Sequence, residues 1–190
     1  MDAFVYLRVA PGKIEDVVIA LRGRHGIRHA VAVVGPWDVI VAVEGLDFES
    51  IARTVLRHIQ ATEGIVHTYT APVLPLDTLG IYAGGPGMPP MPMQRLGPGC
   101  YVHIRAAAGP GSVAGIVRAL GAMDDVAGVA VVAGDHDVIA DIPLAWEEAA
   151  PVILDKIHAI PGVSATTTLI AVPEFGEDAD EDADQFRTWT

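Results

Sequence analysis

The stretch AVAVVGPWDVIVAV, residues 30–43, contains two apolar runs on either side of the turn Gly35-Pro36-Trp37-Asp38. This pattern predicts a β-hairpin in which both strands are covered by other parts of the protein. The same pattern recurs as GVAVVAGDHDVIADI, residues 128–142, around the turn Gly134-Asp135-His136-Asp137. Because a repeat period this long is typical of two domains, we interpret the chain as two copies of one unit.

The segments around each hairpin follow the same order. In the first copy, residues 4–9 alternate as a strand, residues 14–21 and 48–59 carry helical apolar stripes, and residues 65–74 form a last strand. The second copy repeats these segments, although Pro151 predicts a kink or a later start in its second helix. This order predicts an α+β protein of two ferredoxin-like βαββαβ domains, whose antiparallel sheets pack face to face as a pseudo-dimer.

Composition divides the chain into four parts. We predict a first domain over residues 1–75, a linker rich in proline, glycine and methionine over 76–98, and a second domain over 99–173. Residues 174–190 form an acidic tail that we expect to be disordered. The single cysteine, Cys100, is expected to be a buried apolar residue.

The net charge of −12 bears on possible partners. The body of the chain is acidic even without its tail and has no basic stripe, so we predict no direct binding to nucleic acid. No apolar run approaches ~18 residues, and no basic stretch precedes an apolar segment at the amino terminus. We therefore expect neither a membrane span nor a secretory signal, and predict a cytoplasmic protein.

Four stretches together resemble the effector-binding domain of the Lrp/AsnC family of amino-acid-responsive regulators, also called the RAM domain. They are FVYLRVAPGK, VVGPWDVIVAVE, FESIARTVLRHIQ followed by Gly64, and ATTTLIAV in the second copy. The chain differs from full-length family members because it shows no helix-turn-helix and has two effector domains. The resemblance therefore implies ligand binding without DNA binding, with one chain supplying the domain pair that two subunits form in the family.

The resemblance also implies that a small effector, such as an amino acid, binds near the hairpin turn. The predicted ligand-binding residues are Gly35, Trp37, Asp38, Gly134, His136 and Asp137. A glycine allows close approach of a ligand to the backbone, and an aspartate can accept a hydrogen bond from an ammonium group. In the alternative interpretation, the two aspartates bond the backbone of their own turns. No cofactor, metal ion or catalytic residue is predicted.

Strand alternation places a second set of polar and aromatic residues on the sheet face opposite the helices. They are Tyr6, Arg8, His67, His103 and Arg105. This face is either the interface between the two sheets or the lining of a cavity between them. In the second case His103 or His67 is a candidate general base of an α/β-barrel enzyme, an isomerase or a monooxygenase.

The leading functional hypothesis is a non-enzymatic regulator that binds a small metabolite and responds by forming homo-oligomers or engaging a protein partner. The barrel-type enzyme is the first alternative, and a tandem ACT-type amino-acid sensor is the second. The sequence contains no nucleophile motif, phosphate-binding loop or metal-ligand spacing, which favours binding over catalysis.

Overall fold

The computed structural model describes residues 2–81 and 96–172, so most of the predicted linker and the whole predicted tail lie outside the described residues. The first half contains β1 (Asp2–Val9), α1 (Ile14–Leu21), β2 (Ile27–Val34), β3 (Val39–Glu44), α2 (Phe48–Thr54) and β4 (Ile65–Leu74). The second half contains β5 (Cys100–Ala106), α3 (Ser112–Gly121), β6 (Gly128–Val132), β7 (Val138–Ile142), α4 (Trp146–Pro151) and β8 (Val163–Ala171). The predicted order of elements is therefore confirmed in both copies.

The second helix of each half changes from α-helical to π-helical winding near its middle. In the first half the π-helical segment is Val55–Ile59, and in the second half it is Val152–Ile157. Pro151 lies inside α4, which begins at Trp146, so the expectation of a later helix start is wrong. The proline does not explain the change in winding, because the first half has the same change with Arg53 at the equivalent position.

The eight strands form one closed antiparallel barrel in the order β1-β3-β2-β8-β5-β7-β6-β4. Two short pairings join the halves, Val33 with Ala171 between β2 and β8, and Val73 with Val132 between β4 and β6. The sheets do pack face to face, as predicted, and their edges also bond to each other. Closure removes the free edges that each sheet would have alone.

Strand alternation explains the separate cores. On β1, Val5 and Leu7 face the helices of their own half, whereas Phe4 and Tyr6 face the barrel interior and are only 3% and 4% exposed. The second half has its own helix–sheet core, in which Cys100 is buried as expected. The interior of the barrel is therefore a third core, shared by the two halves.

The direction of the strands places the two hairpin turns near one another. Four antiparallel steps around the barrel separate β1 from β5, so these two strands run in the same direction. Each turn is bonded to the end of its neighbouring strand, since the amide of Asp38 donates to Leu7 O and that of Asp137 donates to Ile104 O, both at 3.0 Å.

Within the described residues, no helix is long and apolar enough to cross a membrane.

Candidate functional site

The aspartate of each hairpin turn fixes the turn to the adjacent strand. Asp38 Oδ2 accepts a hydrogen bond from the backbone N–H of Val9 at 2.8 Å, and Asp137 Oδ2 accepts one from Ala106 at 2.7 Å. The sequence predicted a contact to a ligand or to the turn's own backbone, and did not predict this bond across strands. Each aspartate thus holds its turn over the end of β1 or β5.

The first glycine of each turn lies against the other half of the molecule. A Cβ atom on Gly35, whose φ is +153°, would lie 2.5 Å from Leu169 Cδ2. A Cβ atom on Gly134 would lie well inside van der Waals contact with the hydroxyl oxygen of Tyr69. These glycines therefore allow the close approach of the two halves, in addition to the ligand access that the sequence suggested.

The third residue of each turn, Trp37 or His136, joins a connected set of rings, which we call the ring cluster. Its members are Tyr6, Trp37, His67, Tyr69, His103 and His136. The cluster unites the hairpin turns with the sheet face, two regions that the sequence treated as separate candidate sites. Tyr69 touches both turns, because its ring lies 6.0 Å from that of Trp37 and its hydroxyl accepts from the amide of Asp135 at 2.5 Å.

The centre of the ring cluster is a buried pair that crosses from one half to the other. The hydroxyl of Tyr6 and Nε2 of His103 are 2.9 Å apart, and His103 is only 2% exposed. Burial, followed by the effect of His136, lowers the pKa of His103 to about 3. Burial also raises the pKa of Tyr6 above its usual value. Both side chains are therefore neutral at pH 7.

Burial first, and then the nearby charge of Arg105, lower the pKa of His136 as well. Its ring centroid is 5.0 Å from that of His103. Two neutral histidines are thus in contact in the second half. Among residues 2–81 and 96–172, no group of three or more His, Cys, Asp or Glu side chains is arranged to hold a metal ion.

The two halves differ at the outer edge of the ring cluster. In the first half the guanidinium of Arg8 lies 5.7 Å from the ring centroid of Trp37, and both Arg8 and His67 are exposed. In the second half Arg105 donates from Nε and one Nη to the carbonyl oxygen of Asp135, at 3.1 and 2.9 Å. The first half therefore presents a cation beside a half-buried tryptophan, whereas the equivalent cation of the second half is bonded to its own turn.

A comparison with protein-family models supplies the identity of the repeated unit. The model of the Lrp/AsnC ligand binding domain matches the chain twice, over residues 2–75 and 99–179. The chain belongs to this family. The family resemblance seen in the sequence is thus confirmed for both copies, and an Lrp/AsnC domain pair is contained in one polypeptide. A comparison with curated proteins gave no match.

Some solved structures resemble one part of the chain, and others resemble almost its whole length. A hypothetical protein from Pyrococcus horikoshii is 27% identical and covers 39% of this chain and 90% of its own, with a TM-score of 0.37. Two structures of the siroheme decarboxylase NirDL, one of them in co-complex with an iron-uroporphyrin III analogue, cover 99% and 98% of this chain and 79% and 77% of theirs. Their identities are 9% and 11%, with TM-scores of 0.60 and 0.62. This likeness shows that the whole tandem arrangement has a fold known from solved structures.

Tyr69 is the member of the ring cluster that sequence reasoning missed. It lies two residues after His67 on β4, and therefore on the same sheet face, so strand alternation alone could have found it. Its contact with the second turn depends on the closure of the barrel, which local patterns do not specify. The structure brings together every sheet-face residue that the sequence singled out, beside the predicted turn residues.

Proposed function

We propose that this protein is a cytoplasmic regulator that binds a small metabolite, an amino acid or a similar molecule, through its tandem Lrp/AsnC domains. The proposed ligand-binding residues are those of the turns, with Gly35, Trp37 and Asp38 forming the stronger site. Gly134, His136 and Asp137 form a second, altered site. Binding acts on self-association or on a protein partner, without direct contact with DNA and without a cofactor.

The observation that carries this proposal is the position of Trp37. Its ring is half-buried and supported by Tyr6, Tyr69 and His67, with centroid distances of 5.9, 6.0 and 5.8 Å. A fixed aromatic ring that is partly open to solvent offers apolar contact area to a ligand at little cost in side-chain entropy. Asp38 contributes by holding the turn through its bond to the amide of Val9.

Self-association requires surfaces other than the sheet faces. The apolar residues on both sheet faces are covered inside the chain by helices and by the barrel interior. Some of the exposed apolar residues lie on the second helix of each half at equivalent positions, for example Leu56 at 61% and Leu154 at 60%. These exposed apolar helix surfaces support the proposed homo-oligomer.

The test is a thermal-shift screen of the purified chain against the amino acids, followed by sedimentation velocity with and without each hit. We expect at least one amino acid to raise the melting temperature and to change the sedimentation coefficient. Trp37→Leu should remove the shift, whereas Trp146→Leu, at an exposed position on the outer helix α4, should keep it. A shift that survives Trp37→Leu would place the ligand elsewhere, and no shift with any amino acid would contradict the proposal.

A second candidate is an enzyme with its site between the sheets. The buried pair of Tyr6 and His103 favours this alternative, because a tyrosine and a histidine in contact are common acid–base groups. A histidine with a pKa of about 3 is, however, a weak base at neutral pH. The neighbours that share the whole fold are named siroheme decarboxylases, so siroheme is the substrate to test first.

In a decarboxylation the bond between a carboxylate carbon and its parent carbon breaks, CO2 leaves, and a proton takes its place. Anaerobic incubation with siroheme, followed by mass spectrometry of the tetrapyrrole, measures this loss of CO2 directly. The enzyme candidate predicts turnover that His103→Leu reduces more than Arg118→Gln, a change on the outer helix α3. An unchanged tetrapyrrole would remove siroheme decarboxylation as a candidate.

A further inference from the structure

The outer edge of the ring cluster in the first half is a stack of partly exposed rings with a cation against it, which we call the Trp37 surface. The rings of Trp37 and His67 are nearly parallel, with an interplanar angle of 10° and centroids 5.8 Å apart. Tyr69 also stacks against Trp37, at an interplanar angle of 17°. Near-parallel aromatic rings that are partly exposed to solvent favour stacking with a flat ring over contact with a saturated group.

The cation at this surface is Arg8. Its guanidinium lies 5.7 Å from the Trp37 ring centroid, within the range of a cation–π contact. Among the residues that the structure describes, the side chains of Arg8 and His67 form no hydrogen bond or ion pair to other protein groups. The five donor N–H groups of Arg8 are therefore open to an anion there, and a carboxylate is the group that a guanidinium binds in a bidentate manner.

The second half cannot form an equivalent surface. His136 replaces Trp37, and the β8 positions equivalent to His67 and Tyr69 are Ala165 and Thr167. The guanidinium of Arg105 is bonded to the carbonyl oxygen of Asp135. Each chain therefore contains one such surface, although it contains two Lrp/AsnC domains.

We propose that the Trp37 surface binds a planar aromatic carboxylate, one molecule per chain, with the ring stacked on the exposed part of Trp37 and the carboxylate bonded to Arg8. This inference rests on the proposed ligand-binding function and narrows its ligand class. The carboxylate of Asp38 holds the turn through its bond to the amide of Val9, so the proposed site takes its charged partner from Arg8 and does not require an ammonium group on the ligand. Aromatic acids are therefore preferred over zwitterionic amino acids with the same ring.

Isothermal titration with three probes separates the contributions of ring and charge. Indole-3-acetate carries both features, cyclohexylacetate carries the charge without a flat ring, and tryptamine carries the ring with a positive charge. We expect indole-3-acetate to bind with a stoichiometry of one, and the other two probes to bind at least about tenfold more weakly, since tenfold corresponds to ~1.4 kcal/mol.

Matched variants locate the site. Arg8→Gln and Trp37→Leu should each weaken indole-3-acetate binding at least about tenfold, in line with the loss of a charged hydrogen bond or of ring contact area. Arg105→Gln removes the equivalent charge in the second half and should leave the affinity unchanged. A stoichiometry of two, or equal losses in Arg8→Gln and Arg105→Gln, would overturn the proposal, as would equal binding of cyclohexylacetate.

The outcomes of this experiment and of the amino-acid screen are distinguishable. If an amino acid stabilises the protein through Trp37 but indole-3-acetate does not bind, the inference about ligand class fails and the proposed function stands. If indole-3-acetate binds through Arg8 and Trp37 but neither it nor any amino acid changes the association state, the ligand class stands and regulation by self-association fails.

Discussion

The hydroxyl of Tyr6 and Nε2 of His103 are hydrogen-bonded at 2.9 Å in the interior of the barrel. The two residues occupy equivalent positions of the repeat, the sixth residue of the chain on β1 and its counterpart on β5. Their contact is therefore a bond across the pseudo-symmetric interface of the two Lrp/AsnC domains. Among the described residues, no other equivalent pair of side chains in the ring cluster is hydrogen-bonded.

Tyr6→Phe should lower the free energy of unfolding by about 1–3 kcal/mol, because it leaves a buried ring nitrogen of His103 without its partner. Urea denaturation of the two proteins measures the difference. In the double variant Tyr6→Phe/His103→Leu the second substitution should cost less than it does alone, since no polar group is then left unpaired. Additive losses would show that the two side chains do not depend on each other.

Acid should destabilise the protein through His103. Its pKa is lowered to about 3 in the folded state, whereas a histidine in an unfolded chain titrates near 6.5. The unfolded state therefore binds more protons between these values, so the stability is fully present above about pH 6.5 and is lost as the pH falls towards 3. From pH 7.5 to 5.5 the expected loss is ~1.4 kcal/mol. Burial of His136 acts in the same direction.

Denaturant curves at several pH values test this dependence, with His103→Leu as the comparison. The variant should lose less stability than the wild type between pH 7.5 and 5.5, by roughly the same ~1.4 kcal/mol. Other groups titrate in both proteins, so their effects cancel in the difference. Parallel pH profiles for the two proteins would contradict the assignment.

Local patterns were sufficient to predict the order of the elements and the faces of the strands, although Phe48 and Leu56, apolar residues of the predicted helix 48–59, are exposed. The alternation of residues 4–9 predicted that Tyr6 and Arg8 share a face with Phe4, and the structure buries Phe4 and Tyr6 between the sheets. The predicted helical segments are also found, and Asp47, which directly precedes α2, forms a capping box with Ser50. These features depend on neighbours within a few residues, which a single sequence displays.

Contacts between distant segments could not be predicted in the same way. Closure of the barrel depends on strand pairs such as Val33 with Ala171. The register of these pairs depends on how the two sheets cross, and local sequence spacing does not predict it. The bond from Val9 to Asp38 likewise joins residues 29 positions apart. For this reason the turn and the sheet face were separate hypotheses in the sequence, whereas in the structure Trp37 belongs to both.

The aspartates of the turns should contribute to stability as well as to the site. Asp38→Ala and Asp137→Ala each remove the acceptor of a partly buried amide, and each should cost about 1–3 kcal/mol in free energy of unfolding. Asp16→Ala, which removes a surface ion pair with Lys13, should cost less than about 1 kcal/mol. Thermal and urea unfolding provide the comparison.

Ligand response then separates the two turns, because their structural bonds are alike. If Trp37 marks the stronger site, Asp38→Ala should reduce ligand-induced stabilisation more than Asp137→Ala, even though both variants start from a similarly lowered melting temperature. Equal ligand responses in the two variants would mean that the aspartates only form the turns. The relevant measurement is the shift caused by ligand, relative to each variant's own melting temperature.

A partly buried carboxylate on β7 leads to a prediction of increased stability. Asp141 lies two residues after Ile139, whose side chain is in the barrel core, and so points to the same side of the sheet. Its equivalent in the first half is Ala42. Burial raises the pKa of Asp141 to about 6, above the value of about 3.9 for an exposed aspartate. The ionised carboxylate therefore destabilises the folded state at neutral pH.

Asp141→Asn should relieve this cost, because asparagine has almost the same shape and carries no charge. Since a raised folded-state pKa gives stability that is present at low pH and lost as the pH rises through about 6, the wild type carries the full cost at pH 8. We expect a gain of about 1–2 kcal/mol there, after allowing for the partial exposure of the side chain, and a gain that shrinks towards zero by pH 4. Asp155→Asn, at an exposed position, should stay within about 0.5 kcal/mol of the wild type at both pH values. Urea denaturation of the three proteins at pH 8 and pH 4 makes the comparison, and a gain of equal size at both pH values would show that packing, and not ionisation, is the cause.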